Sequence, residues 1–373
     1  MSTVRSLGEY GQSVWLDYIQ RNLLVDGSLE RLIRQQGVSG VTTNPAIFEK
    51  AIAASDDYAL ELQALAADDS LDTAAIYEHL VLGDVQRAAD VLRPTYDVTS
   101  GRDGYVSVEV SPKLAYETEA TCTEARRLWE SINRANVMIK VPATEQGVSA
   151  IEALLSEGIN VNATLLFARS FYARVAEAYQ RGVERFAAAG GDVSKLASVA
   201  SFFVSRIDIA VDKLIANRIN KVRGDDRALL QQLPGRVAVA NARLAYQHYK
   251  VAFDNARWNS MAARGAQPQR LLWASTSSKN PAYPDVIYVE ELIGANTVTT
   301  LPPQTLEAFL EHGNPRASLE DALDDAHDVL ASLDTLDILF DAVTDQLLDD
   351  GVRLFAEAYD RSLGAVTAAR NAA

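Results

Sequence analysis

The feature that most constrains the fold is an alternation of two periodicities between residues 13 and 301. Short apolar or β-branched runs fall at 13–19, 37–44, 105–110, 137–142, 159–167, 196–203, 270–276 and 297–301. Between most of them the apolar residues recur at helical spacing, as at 148–155 and 170–186. Strands that alternate with helices predict a parallel sheet, because parallel neighbours need a crossover and a helix supplies it. Eight such strands are the number that closes a barrel, so the expected fold is α/β, a (β/α)8 TIM barrel.

Most strand-to-strand intervals match the ~30 residues of one βα unit. Two are longer, and they predict helical insertions at about 49–104 and 207–269; the second contains the helical pattern of 237–253. A tail at about 303–373 reads as a C-terminal helical extension over the barrel exterior or mouth. Its start is expected at the Ser318-Leu-Glu-Asp capping pattern, and its end in the helical stretch 347–363. No Gly/Ser/Pro-rich linker interrupts the 373 residues, so one domain spanning 1–373 is expected.

Composition narrows the class further. A chain that is 48% hydrophobic can bury a core, and a charged fraction of 23% lies near the globular average of about 25%, which excludes disorder as the main state. The net charge of −15, with no basic stripe, argues against nucleic acid or an anionic membrane as a partner. No apolar run approaches the ~18 residues of a membrane span, and residues 1–10 lack a secretory pattern, so a cytoplasmic location is expected. The lone Cys122 cannot form an internal disulfide, and its helical surroundings predict a buried or idle thiol. Oligomeric state, monomer or homodimer, stays open.

In a parallel barrel the chemistry sits at the C-terminal ends of the strands. The polar residues there are Asp17, Asn44, Glu109, Lys140, Asn162 and Thr164, Ser201 and Arg206, then Ser275 and Lys279. Lys140 carries the most information: of eight lysines it alone lies within an apolar strand pattern, between Val137-Met-Ile and Val141-Pro. An ammonium poorly solvated in such a place favours the free amine, a nucleophile toward carbonyls, which suggests a Schiff base. The other reading is a lysine reaching out of the mouth to bind phosphate as a point charge. Schiff-base chemistry needs proton donors and acceptors nearby, and Glu109 and Asp17 can fill those roles, unless they are ordinary strand-end carboxylates. Arg206 and Lys279, with Ser275 and its neighbours, suit a phosphate dianion; the alternative is surface charge beside an exposed serine-rich loop. The four histidines form no HxH or HExxH pattern, and neither GxGxxG nor GxxxxGK[ST] follows a strand, so no metal and no nucleotide cofactor is expected.

Two segments resemble the transaldolase family: Gly40-Val-Thr-Thr-Asn-Pro-Ala-Ile-Phe48, like its T-[ST]-N-P signature, and Val137-Met-Ile-Lys-Val-Pro-Ala-Thr-Glu-Gln-Gly-Val148, like the stretch around its Schiff-base lysine. Further matches are Asp17 in Trp-Leu-Asp, Glu109 in Val-Glu-Val, Asn160-Val-Asn-Ala-Thr-Leu-Leu-Phe167, Ser201-Phe-Phe-Val-Ser-Arg206 and the loop from Trp273 to Pro281. The long insertion and tail resemble the family's longer bacterial branch, which also occurs fused to glucose-6-phosphate isomerase. The resemblance implies sugar-phosphate substrates, with a dihydroxyacetone unit passed from sedoheptulose 7-phosphate to glyceraldehyde 3-phosphate in the non-oxidative pentose phosphate pathway. It implies Lys140 as the Schiff-base residue, Glu109 acting through a water as acid and base, and Asp17 taking the hydroxyl proton during C–C cleavage. Asn44, Asn162, Thr164 and Ser201 would then hold sugar hydroxyls or the catalytic water, Phe203 would shape the pocket, and Arg206, Ser275 and Lys279 would bind phosphate. Lys279 stands where many shorter members carry arginine, and Phe202-Phe203 with Ser205 replaces a Pro-Phe-Val-Gly pattern. The competing readings are a Schiff-base aldolase that releases free dihydroxyacetone, against which Glu109 and Phe203 speak, and a non-catalytic barrel acting as a binding partner.

Overall fold

Eight parallel strands close into a barrel in chain order: β1 (Gln12–Leu16), β2 (Val38–Thr42), β3 (Tyr105–Glu109), β4 (Val137–Pro142), β5 (Val161–Leu166), β6 (Ser198–Phe203), β7 (Arg270–Ala274) and β8 (Thr297–Leu301). β8 pairs with β1 and completes the ring. The computed structural model describes residues 2–53 and 56–372; positions 54–55 of the first insertion, and both chain ends, lie outside the described residues.

The strands are almost wholly buried because helices cover their outer faces, as an all-parallel sheet requires. Helix Glu145–Ser156 shows how one unit is built. Thr144 caps its start, with the Oγ1 accepting the Gly147 N–H at 2.9 Å, while Val148, Ile151, Leu154 and Leu155 are buried against the barrel. Each such side chain contributes roughly 1.5–3 kcal/mol when fully buried. The cap stands four residues after Lys140, so the same contacts fix the end of the strand that carries it.

At the end away from the strand C-termini the interior is sealed by an ion pair. Arg270 meets Asp103 at 3.1 Å, and Asp103 also accepts hydrogen bonds from Ser13 and from the Trp15 indole, at 2.7 and 2.9 Å. The Trp15 ring occupies the space beside Gly40 of β2, where a Cβ would lie 2.5 Å from it. Only glycine lets strand and ring approach so closely.

The stretch 49–104 contains helices Ala59–Ala66 and Thr73–Val98; the stretch 207–269 contains Asp225–Gln232, Val237–Phe253 and Ala256–Ala262. The tail differs from expectation at its start. Ser318 caps no helix: its hydroxyl bonds the Glu290 carbonyl and accepts the Ile293 N–H, tying the tail to the segment before β8. The helix begins later, at Leu323–Thr335.

The final helix, Phe340–Ala372, runs across the barrel mouth and touches loops after several strands. Arg361 forms a two-pronged pair with Glu49 after β2, at 2.6 and 2.9 Å. Tyr116 and Lys113 after β3 bond Asp349 and Asp360, each at 2.6 Å. Gly351 packs on Leu165 of β5, where an added Cβ would lie 2.9 Å from the side chain. Among the described residues no helix is long and apolar enough to cross a membrane.

Candidate active site

A cavity of about 770 Å3 opens at the strand C-terminal ends. Nine of the eleven residues singled out from the sequence line it: Asp17, Asn44, Lys140, Thr164, Ser201, Phe203, Arg206, Ser275 and Lys279. The remaining two, Glu109 and Asn162, sit behind its wall.

Register explains the convergence. Glu109 of β3 lies level with Lys140 of β4, and Lys140 lies level with Asn162 of β5. Side chains two apart on a strand share a face, so Asn162 and Thr164 both point into the barrel at successive levels, as do Ser201 and Phe203. Lys140 is 4% exposed; its Nζ donates to the Thr43 carbonyl at 2.8 Å and meets Glu109 Oε2 at 3.3 Å. The side chain of Glu109 is 3% exposed, and its Oε1 has no hydrogen-bond partner among the described residues. Burial pushes the Glu109 carboxyl above the usual range, Lys140 opposes that shift, and Asp17 reinforces it. A buried pair of this kind costs desolvation that a hydrophobic pair would not, so its presence here points to chemistry rather than stability.

Asp17 follows β1 directly, its backbone N–H bonded to the Leu301 carbonyl at 2.8 Å. Its carboxylate accepts from the Thr42 hydroxyl at 2.7 Å, and Thr42 in turn shares a 2.6 Å hydrogen bond with Thr300. Burial raises the Asp17 carboxyl, opposed by the Thr42 bond and by the charges of Lys140, Arg206 and Lys279. The acid therefore faces three cations within one cavity.

Asn162, expected to hold a sugar hydroxyl or the catalytic water, lies deeper than the residues that line the cavity. It is fully buried and does not reach the cavity: its amide donates to Ser107 Oγ at 3.1 Å, and its oxygen accepts from Ser201 Oγ at 2.7 Å. Asn162 thus ties β3 and β6 to β5 and orients Ser201, which does line the cavity. Thr164 Oγ1, by contrast, has no hydrogen-bond partner among the described residues. Asn44 stays on the wall, its Oδ1 accepting the Ile47 N–H at 3.1 Å in the turn that starts helix Pro45–Ala53.

Arg206 stands at the start of helix Ser205–Arg218 with its guanidinium 5.4 Å from the Phe203 ring centre. Burial works against its charge, and Asp17 and Asp350 support it. Ser275, just after β7, has φ of 56°, a left-handed backbone costing a non-glycine residue about 1–3 kcal/mol. Its hydroxyl shares a 2.9 Å bond with Ser205, and the Ser205 N–H bonds its carbonyl at 3.1 Å, so the turn that carries Lys279 is locked to the start of the Arg206 helix. Lys279 itself is exposed and donates to Ser277 at 2.7 Å.

Several cavity residues carried no assigned role in the sequence reading. Thr42 and Thr300 carry the hydrogen-bond chain to Asp17, and Thr42 lies inside the very segment that suggested Asn44. Phe355, from the C-terminal helix, places its ring 5.9 Å from Lys140 Nζ, more than two hundred residues away in sequence, where no local pattern announces it. Cys122 is buried in helix Thr118–Ile132, and among the described residues no group of three or more His, Cys, Asp or Glu side chains could hold a metal ion.

The sequence also matches known proteins along nearly its whole length. The family model described as Transaldolase/Fructose-6-phosphate aldolase matches residues 14–366. "Transaldolase" of Acidothermus cellulolyticus is 48% identical over 362 residues, 97% of this chain and 95% of the relative. "Transaldolase" of Thiobacillus denitrificans is 46% identical over 366 residues, covering 98% of this chain and all of the relative (100%). "Transaldolase 2" of a Nostoc species is 47% identical over 357 residues, 94% and 93% of the two chains. With a buried amine beside two acids at the mouth of an eight-stranded barrel, and relatives of this closeness over full length, the chain belongs to the Transaldolase/Fructose-6-phosphate aldolase family.

Proposed function

We propose that Lys140, Glu109 and Asp17 carry out a transaldolase reaction, with residues 1–373 acting as one catalytic unit. The enzyme transfers a dihydroxyacetone unit from sedoheptulose 7-phosphate to glyceraldehyde 3-phosphate, leaving erythrose 4-phosphate and forming fructose 6-phosphate, as in the pentose phosphate pathway.

The observation that supports this most strongly is the Lys140–Glu109 pair, an amine 4% exposed, 3.3 Å from a carboxyl that burial pushes above its usual range. The amine adds to the ketose carbonyl at C2, and the Glu109 carboxylic acid, through a water, supplies the proton with which the hydroxyl departs. Asp17, raised by burial and steadied by Thr42, takes the C4 hydroxyl proton as the C3–C4 bond breaks. The electron pair moves into the iminium, and the enamine so formed waits on Lys140 for the acceptor aldehyde. Asn44, Thr164 and Ser201 meet sugar hydroxyls or the water, and Phe203 bounds the pocket beneath Arg206. Arg206, Ser275 and Lys279 hold the phosphate, a guanidinium fork and a point charge joined by hydroxyl donors.

Acceptor dependence tests the reading. Fructose 6-phosphate alone should yield no more than a stoichiometric amount of glyceraldehyde 3-phosphate, and added erythrose 4-phosphate should restore turnover with sedoheptulose 7-phosphate as product. Continuous release of free dihydroxyacetone without an acceptor would show an aldolase instead.

A further inference from the structure

Glu109 belongs to a second, smaller space. It does not line the mouth cavity that holds Lys140 and Thr164; it lines a chamber of about 50 Å3 behind β3, walled by Tyr77, Val81, Leu82, Val108, Leu128 and Tyr359. By that measure a water needs about 10–15 Å3 and two to four polar partners, so one to a few molecules fit. Partners are present: Thr43, Asn44 and Ser111 line the chamber, and Glu109 Oε1 has no hydrogen-bond partner among the described residues. The outer rim reaches solvent at Glu78 and Glu124, whose side chains are 33% and 23% exposed and are both bonded by Arg127. Tyr77 and the C-terminal helix's Tyr359 meet edge to face at 5.4 Å across this side.

We propose that the chamber is a port through which Glu109 exchanges water and protons with solvent while sugar fills the mouth. The inference rests on the Schiff-base reading above. When the carbinolamine on Lys140 collapses, its C–O bond breaks and the hydroxyl leaves with the Glu109 proton as water. The nitrogen lone pair forms the C=N bond, leaving an iminium and a Glu109 carboxylate. Hydrolysis reverses this with one water and returns the proton to Glu109. A sugar phosphate in the mouth stands between that water and bulk solvent, whereas the chamber opens on the far side of the same carboxyl. Lys140 faces substrate and Glu109 faces the port, and the ion pair bridges the wall between them.

Loss of label from fructose 6-phosphate carrying 18O at C2, in ordinary water without acceptor, tests the port. Loss is corrected for the uncatalysed blank and divided by the rate of Schiff-base formation from borohydride quenching. The wild type should lose label in nearly every cycle, because the released water escapes before hydrolysis. Val81→Phe, which fills the chamber, and Leu82→Trp, which narrows its rim with less disturbance of the core, should lower the ratio at least severalfold while Lys140 is still trapped. An unchanged ratio in the folded, trappable variants would overturn the port and leave the Schiff base standing. Absence of any Lys140 adduct in the wild type would overturn both.

Discussion

Replacing Glu109 by Gln keeps the shape of the side chain and removes its proton. Gln retains an oxygen that can accept from Lys140 across the present 3.3 Å, so the buried amine keeps a partner and the fold loses less than the ~3–5 kcal/mol of a fully broken buried pair. The reaction should lose far more. Acid–base groups contribute typically 10²–10⁴ in rate, about 3–5 kcal/mol of barrier, and no other acid lies within bonding distance of Lys140 among the described residues. Schiff-base formation, read by rapid quenching with borohydride and fructose 6-phosphate, should therefore slow by 100-fold or more. Its pH profile should change as well. Burial raises the Glu109 carboxyl, so in the wild type its acid form survives to higher pH and is lost as pH rises through that raised value. Glu109→Gln should lack that falling limb. A folded E109Q protein that forms the Schiff base within tenfold of the wild-type rate would refute the role given to Glu109.

Two other perturbations probe separate parts of the molecule. Arg206→Ala should raise KM for phosphorylated substrates, and the inhibition constant for inorganic phosphate, by about 10- to 100-fold, the loss of charge-assisted hydrogen bonds worth about 1.5–3 kcal/mol. Turnover at saturation with unphosphorylated glyceraldehyde as acceptor should stay near wild type, and an unchanged KM for the phosphorylated acceptor would remove Arg206 from the phosphate site. Asp208, which accepts from the Ala238 N–H and the Tyr288 hydroxyl at 2.8 Å each, is pushed up to about 7 by burial. A carboxyl raised on folding stabilises the fold below its unfolded value and loses that contribution as pH rises through about 7. Unfolding free energy should thus fall by roughly 1 kcal/mol between pH 6 and 8 from this group, and Asp208→Asn should flatten the fall; equal slopes in denaturant titrations of the two proteins would contradict it.

What could be read in advance depended on how local the signal was. β4 and β8 coincide with the runs 137–142 and 297–301, and helix Val237–Phe253 with its periodic stretch, because burial pattern and element end together there. The run 13–19 overshoots: β1 ends at Leu16, since Asp17 turns the chain at the mouth although Tyr18 and Ile19 remain apolar. In β5 the apolar run hides a bend, for Leu165 takes φ of 58° at an irregular register with β6, a conformation that no side-chain pattern specifies. Ser318 shows the opposite failure, a local capping motif whose hydroxyl is taken by partners near Ile293. Strand-end polar residues were legible because a closed parallel barrel sends them to one place. Phe355 and the depth of Asn162 were not, because they depend on where a distant helix lies and on which level of the barrel a residue occupies.

The central claim is that the Lys140 amine bonds the ketose. Borohydride reduction during incubation with fructose 6-phosphate, followed by proteolysis and mass spectrometry, tests it directly. The peptide containing Lys140 should carry a mass the size of a reduced dihydroxyacetone unit, and Lys140→Arg should carry none; an adduct on any other lysine, or no adduct in an active preparation, would contradict the account.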